Sequence, residues 1–195
     1  MKNFLKKTRT YLAPPGNGVF TVHTAKENKS NLHEKLYGTS DVSEVEEKWK
    51  SSLNNLKETT SPILLGLCSD TGGGIQRGAN WGPLFIRDEL LSIVDCEKYF
   101  DAGDIKVIPH LLHDKYLQQD LINNCQKSIY SGENLPVSAL SIAEDFVESL
   151  FKFKADSKVL TLGGDHSISY PVVKEWINFK RSQDIKVAII HFDAH

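Results

Sequence analysis

The chain has 195 residues, 40% of them hydrophobic and 25% charged, which suits one globular domain with a sizeable core. Its formal net charge of -2 gives no basic field of the kind that binds nucleic acid or an anionic membrane. The 3 cysteines lack C-x-x-C spacing, which argues against a disulfide framework or a structural zinc site and predicts buried thiols.

The amino-terminal stretch, residues 1–39, is rich in Lys, Asn, Thr, Pro and Gly and shows no lasting period. It predicts an extended or loosely packed arm, either packed on a neighbouring subunit or free. The basic start is followed by Ala13-Pro-Pro-Gly-Asn-Gly18, where a signal peptide needs its apolar core, and no run approaches the ~18 apolar residues of a membrane span. We therefore expect a cytoplasmic protein whose main domain occupies residues 40–195.

That main domain alternates between short apolar runs and helical periods. Four apolar runs predict strands, near residues 63–68, 105–109, 158–162 and 186–193. Continuous apolar runs of this length are typical of strands buried on both faces of a parallel sheet. The alternation predicts an α/β fold of three layers, with helices on both faces of a mainly parallel sheet.

The helical periods lie between these runs, beginning near Asp41, Pro83, Asp114, Pro136 and Pro171. The helix after Pro83 is expected to turn one face to the core, formed by Ile86, Leu90, Ile93 and Val94. The helix after Pro136 contains Ser141-x-x-Glu144, which is a possible capping box.

A glycine-rich loop from Ser69 to Gly78 follows the first predicted strand. A glycine loop after a strand opens dinucleotide-binding folds, and Gly72 and Gly74 match the first two positions of their fingerprint. Arg77 occupies the third, so the signal is weak. A nucleotide-binding α/β domain stays an alternative.

Several charged residues in this half of the chain allow more than one interpretation. Arg87 fits a buried pairing role and a solvated helix position equally well. Asp101 and Asp104 precede a predicted strand, where acidic residues are more often solvated turn residues than ligands. His110 and His113 lie in a polar loop without a carboxylate motif, and they receive no assigned role.

The last two apolar runs end in ionisable residues, within Gly163-Gly-Asp-His-Ser167 and His191-Phe-Asp-Ala-His195. Parallel strands bind ligands at their carboxyl ends, so we expect His166, Asp193 and His195 to gather at one rim. Asp193 and His195 are two apart and would share one face of a strand. Imidazole with carboxylate suits a divalent ion such as manganese, zinc or iron, so a metal site fits better than an acid–base pair.

These two motifs and two upstream elements resemble the ureohydrolase superfamily, which includes arginase, agmatinase and formimidoylglutamase. Upstream, Arg77-Gly-Ala-Asn-Trp-Gly-Pro-Leu-Phe-Ile-Arg87 is similar to the family's Gly-Pro-x-x-Ile-Arg, and Asp101-Ala-Gly-Asp-Ile105 to its Asp-x-Gly-Asp. The motifs follow the family's order, and the resemblance covers roughly residues 62–195. It implies an arginase-like fold for residues 40–195, incomplete at the carboxyl end.

The resemblance also implies a centre of two manganese ions, with His166 on one ion, His195 on the other and Asp193 bridging both. Asp165 is expected to brace its loop, and His191 is either a hydrogen-bond partner of the ligands or a structural residue of the strand. The implied reaction is hydrolysis of a guanidino or amidino C–N bond by metal-activated water, releasing urea and an amine.

Agmatine is the first substrate candidate, with arginine, formimidoylglutamate and guanidinobutyrate open, and the setting would be polyamine or arginine metabolism. The resemblance implies a homo-oligomer, a trimer or hexamer. The family motif runs on as Asp-Ala-His-x-Asp and is followed by an Asp-x-Asp pair, neither of which the 195 residues contain. The chain is therefore either part of a metal-dependent amidinohydrolase or catalytically silent as given, as a fragment, truncated product or binding remnant.

Overall fold

The computed structural model describes residues 2–19, 24–106 and 111–192. In this part of the chain 7 α-helices and 4 strands follow one another. They are α1 (Lys2–Tyr11), β1 (Leu12–Ala13), α2 (Lys26–Tyr37), α3 (Val42–Ser52), β2 (Ile63–Leu67), α4 (Gly82–Ile93), β3 (Phe100–Ile105), α5 (Gln119–Tyr130), α6 (Ala139–Phe153), β4 (Val159–Gly163) and α7 (Ser169–Arg181). No helix among these residues combines the length and apolar character that crossing a membrane requires.

The strands form one sheet in the order β1-β3-β2-β4. β2 is central, parallel to both neighbours and buried along its whole length, whereas the two-residue β1 runs antiparallel to β3. Leu67 at the end of β2 pairs with Ile105 on one side and Gly163 on the other, so three carboxyl ends meet at one rim. The predicted mainly parallel sheet is confirmed.

Helices cover both faces of the sheet, which makes the three-layer α/β architecture. On one face α6 packs against both α1 and α7, and Trp49 of α3 and Leu53 just after it belong to the same core. On the other face α4 packs near β4 and is covered by α2. β2 is a continuous apolar run, Ile63-Leu-Leu-Gly-Leu67, so both of its faces can be packed by helices.

The amino-terminal stretch differs from the loosely packed arm that its composition predicts. It forms α1, β1 and α2, and both Phe4 and Tyr11 are buried in the core shared with α6. The Tyr11 hydroxyl donates to the Asp145 Oδ2 atom at 2.5 Å, and burial raises the pKa of Tyr11 well above its ordinary value. A few apolar anchors are sufficient to fix a polar helix, which average composition does not reveal. The boundary at residue 39 stays a prediction.

Two of the predicted strands are also corrected. The second strand is Phe100–Ile105 rather than 105–109, so the acidic motif lies inside it, and residues 107–110 are outside the described part. The run at 186–193 forms no strand as far as residue 192. Ile190 and Phe192 are exposed, and the run lies beside α7 instead of pairing with β4. An apolar run becomes a strand only when a neighbour satisfies its backbone groups.

The predicted helices are found, but two of their details are wrong. α4 buries Pro83, Leu84 and Arg87, while Ile86 and Ile93 of the expected core face are exposed. α6 is capped by the Ser138 side chain, which accepts from the Ser141 amide, so Ser141 does not begin a capping box. Asp41 does cap α3, accepting from the amides of Ser43 and Glu44.

Candidate active site at the carboxyl rim of the sheet

A buried ion-pair network lies under the rim, between α4 and β3. Arg87 Nε and Nη2 donate to the two Asp101 carboxylate oxygens at 2.8 and 3.0 Å, and Nη1 donates to Asp104 Oδ1 at 2.5 Å. The Arg87 side chain is only 1% exposed. Burial disfavours its charge, but the two carboxylates more than compensate and raise the pKa of Arg87 above its ordinary value.

A bulge in β3 makes this network possible. Leu64 pairs with Asp101 and Leu65 with Gly103, so Ala102 is the extra residue, and Gly103 adopts a positive φ of 100°. Residues three apart in a regular strand point to opposite faces, but the bulge brings Asp101 and Asp104 to the same guanidinium. The expectation that these aspartates are solvated turn residues is therefore wrong, and the buried pairing role of Arg87 is confirmed.

Asp104 also ties the amino-terminal stretch to the sheet. Its Oδ2 atom accepts from the Gly16 and Gly18 amides at 2.8 and 3.2 Å. On β2, any Cβ at Gly66 would overlap Asp104 Oδ1 and approach Arg87 Nη1. Position 66 therefore requires glycine, because the Asp104 carboxylate packs directly against its Cα.

At the rim, Asp165 joins the loops that follow β2 and β4. Its carboxylate accepts from the Gly72 amide at 2.8 Å and from the Ser167 amide at 2.8 Å. The Asp165 amide donates to the Ser69 carbonyl at 3.0 Å, and any Cβ at Gly164 would overlap that carbonyl. These contacts fix the loop from which His166 projects. Asp165 therefore braces its loop, as expected.

The glycine-rich loop is held from inside by Asp70. Asp70 Oδ2 accepts from the Gly78 amide at 2.8 Å, and the Arg77 guanidinium donates to the Asp70 carbonyl. Among the described residues nothing bonds to the buried Asp70 Oδ1. The Gly72 and Gly78 amides thus face carboxylates, which would repel a phosphate. This geometry disfavours the nucleotide-binding alternative.

His166 begins a short 3-10 helix just beyond β4 and is exposed at the rim. Its ring centroid lies 5.0 Å from that of His191, so the structure brings these two predicted residues together. A cavity of about 610 Å³ opens beside them, between α7 and the segment that carries Ile189 and Ile190. Asp193 and His195 lie outside the described residues, and the geometry predicted for them stays a prediction.

The described residues supply only part of the metal centre that the resemblance implies. His166 supplies the expected imidazole at the expected rim. Within residues 2–19, 24–106 and 111–192, no three His, Cys, Asp or Glu side chains are grouped so that they could hold an ion. The described residues do not form a metal site by themselves. Of the other histidines, His113 pairs with Glu144 at 3.1 Å, and His110 is outside the described part.

We expect Asp165→Asn to loosen the glycine-rich loop, because an amide NH2 would replace one acceptor oxygen opposite a backbone N–H. Hydrogen bonds to charged groups are worth about 1.5–3 kcal/mol, so the loop should open about tenfold more often. The initial rate of trypsin cleavage at Arg77 measures this opening. Asp184→Asn, a matched change at an exposed residue, should leave the rate unchanged. Equal rates in both variants would show that Asp165 does not brace the loop.

Two of these features carry a signal in the sequence and one does not. Asp165 precedes His166 in a short motif, and its capping position before a helix can be inferred from residue type. Arg87 is recognisable from its place in the upstream motif. The buried role of Asp70 has no such signal, because an aspartate before a glycine-rich loop is typical of any exposed turn.

Comparison with known proteins finds similarity over the part of the chain that forms this rim. A model described as the arginase family matches residues 61–195. An agmatinase from Bacillus cereus is 30% identical over 148 residues, which cover 71% of this chain and 41% of the relative. An agmatinase from Blochmanniella floridana is 28% identical over 135 residues, covering 68% of this chain and 38% of the relative.

A mitochondrial guanidino acid hydrolase from Mus musculus is 28% identical over 143 residues, covering 73% of this chain and 35% of the relative. The chain thus spans about two fifths of the length of the curated relatives it matches. The rim with Asp165 and His166, and the Arg87 network below it, all lie within the residues that the family model matches.

Proposed function

Because the chain belongs to the arginase family, we propose that it serves the hydrolysis of guanidino or amidino C–N bonds, with agmatine as the first substrate candidate. The observation that supports this most directly is at the rim. There Asp165 holds the glycine-rich loop and its own loop together through hydrogen bonds, and His166 is exposed next to it. Relatives named for agmatine and for guanidino acids point to the same bond type.

We propose that His166, Asp193 and His195 derive from ligands of a two-manganese centre. When bound, the ions would lower the pKa of a coordinated water, so that hydroxide is available near neutral pH. The chain's own contribution is positional. Asp165 fixes the backbone on both sides of His166 through the Gly72 and Ser167 amides, and it thereby sets the direction of the imidazole.

The charges of the rim suit a cationic substrate. Asp70 and Asp165 both lie there, and Asp70 Oδ1 accepts no hydrogen bond from the described residues. Negative charge at a cleft attracts a guanidinium and disfavours an anionic ligand. Arg77 lies in the same loop and donates to a backbone carbonyl. We further propose a cytoplasmic protein that assembles as a homo-oligomer and binds neither nucleic acid nor membrane.

The test is an assay of protein expressed from the complete reading frame that contains these residues. With added manganese we expect urea release from agmatine, and a slower rate or none with arginine and guanidinobutyrate, while formimidoylglutamate is followed by formamide release. His166→Asn should lower kcat more than ~100-fold, because a misplaced nucleophile alone costs that much. His113→Asn is the matched control, since His113 pairs with Glu144 instead. Full activity of the His166 variant, or no hydrolysis of any of the four compounds, would contradict the proposal.

A further inference from the structure

A second cavity, of about 510 Å³, lies at the amino-terminal end of the structure. It is bounded by the turn after β1, by α2 and α3, and by the end of β3. Most of its lining comes from residues before 61, where the match to the arginase family begins. It is therefore not part of the rim site, and the proposed hydrolysis does not account for it.

Positive charge dominates the lining of this cavity. Its basic residues are Arg9, Lys26, Lys29, His33 and Lys106, and Glu46 is the carboxylate among the described lining residues. In the described part of the chain, none of the four Lys and Arg side chains is within ion-pair distance of a carboxylate. Arg9, Lys26 and Lys106 are exposed, so solvent offsets part of their mutual repulsion, and a bound anion would offset more of it.

The hydrogen bonds of these cations orient them without neutralising them. Lys29 Nζ donates to the Val19 carbonyl at 3.2 Å, and Lys106 Nζ donates to the Thr10 carbonyl at 3.0 Å. Arg9 Nη2 donates to the Lys50 carbonyl at 3.2 Å. Carbonyl oxygens carry only partial charge, so these ammonium and guanidinium groups keep their capacity for a charge-assisted bond to an anion.

Lys26 and Lys29 have a further unfavourable feature, because both lie in the first turn of α2. The helix dipole disfavours positive charge at that end, and α2 has no side-chain cap. Lys29 is also half-buried, and burial lowers its pKa, although the nearby Asp104 charge opposes the shift. Glu27 is the acidic residue of the same turn, and the two lysines outnumber it.

We propose that this cavity binds a small organic anion, a carboxylate or phosphate ester, whose charge is held by Lys26, Lys29, Arg9 and Lys106. The volume is in the range of metabolite sites, which are about 300–1,000 Å³. Leu12, Pro14 and Trp49 also line it, so the carbon part of the ligand has apolar surface to contact. The turn that lines the cavity is anchored through Gly16 to Asp104, and bound ligand should stabilise that anchored region.

The test measures binding of two probes, inorganic phosphate and citrate, to the chain by calorimetry and by thermal melting. Ionic strength is held constant with chloride. We expect at least one probe to bind with a Kd at or below the millimolar range and to raise the melting temperature. Preference for phosphate or for citrate then distinguishes a phosphate ester from a carboxylate ligand. The double variant Lys26→Gln/Lys29→Gln should bind about tenfold more weakly, because it removes two charge-assisted contacts.

The matched control is Lys57→Gln/Lys98→Gln, which removes the same charge at exposed positions and should leave Kd unchanged. If the Lys29 variant fails to fold, Lys26→Gln/Lys106→Gln replaces it, with the same expected loss. Equal weakening in the control would show a non-specific effect of net charge and overturn the proposal. Unchanged binding in the lysine variants, or no binding of either probe, would overturn it as well.

Discussion

Replacing Arg87 with methionine will lower the free energy of unfolding by about 3–5 kcal/mol, the range for breaking a buried ion pair by removing one partner. The guanidinium donates twice to Asp101 and once to Asp104, and no other described Lys, Arg or His forms an ion pair with either carboxylate. Methionine fills a similar volume but leaves two buried carboxylates without a cation. Urea denaturation followed by circular dichroism measures the loss.

Two companion variants separate the network from a general effect of arginine removal. Arg181→Met changes the same residue type at an exposed position and should alter the free energy of unfolding by less than about 0.5 kcal/mol. Arg87→Lys keeps the charge but not the planar fork, so it should lose a large part of the same stability. A loss below about 1 kcal/mol in Arg87→Met would mean that the network contributes only packing.

The network shows where prediction from sequence reaches its limit. The position of Arg87 in a helix after Pro83 follows from local pattern, yet its burial follows from a bulge in β3 that no periodicity indicates. Because the bulge adds Ala102, Asp101 and Asp104 share one side of the strand although they are three residues apart in sequence. The same bulge explains why the acidic motif lies within β3 and not before it.

Other elements were predictable because they depend on local chemistry. The strands at β2 and β4 are continuous apolar runs, and Asp165 caps the short helix that holds His166. The run at 186–193 has an equally apolar sequence, but residues up to 192 form no strand, since a strand also requires a partner. The helix α1 within residues 1–39 is fixed by the packing of Phe4 and Tyr11, which is a tertiary effect.

The 195-residue chain by itself will release no measurable urea from agmatine, even with excess manganese. Under the proposed assignment, His166 and Asp193 would hold one ion and Asp193 and His195 the other, so each ion would have two protein ligands. The described residues supply no group of three metal-binding side chains to add to these. Fewer carboxylates hold a divalent ion more weakly, and a nucleophile displaced by ~1 Å costs about 100-fold in rate.

Two measurements on the purified 195-residue chain test this expectation. Urea release is followed with excess manganese beside a His195→Ala control, and manganese binding is measured separately by electron paramagnetic resonance of the free ion. We expect both proteins to be inactive, and the unaltered chain to bind manganese only weakly, since so few ligands offset the dehydration of the ion. Robust turnover that is lost in His195→Ala would contradict the prediction, because it would mean that His166, Asp193 and His195 are sufficient for catalysis without the further carboxylates that the family pattern implies.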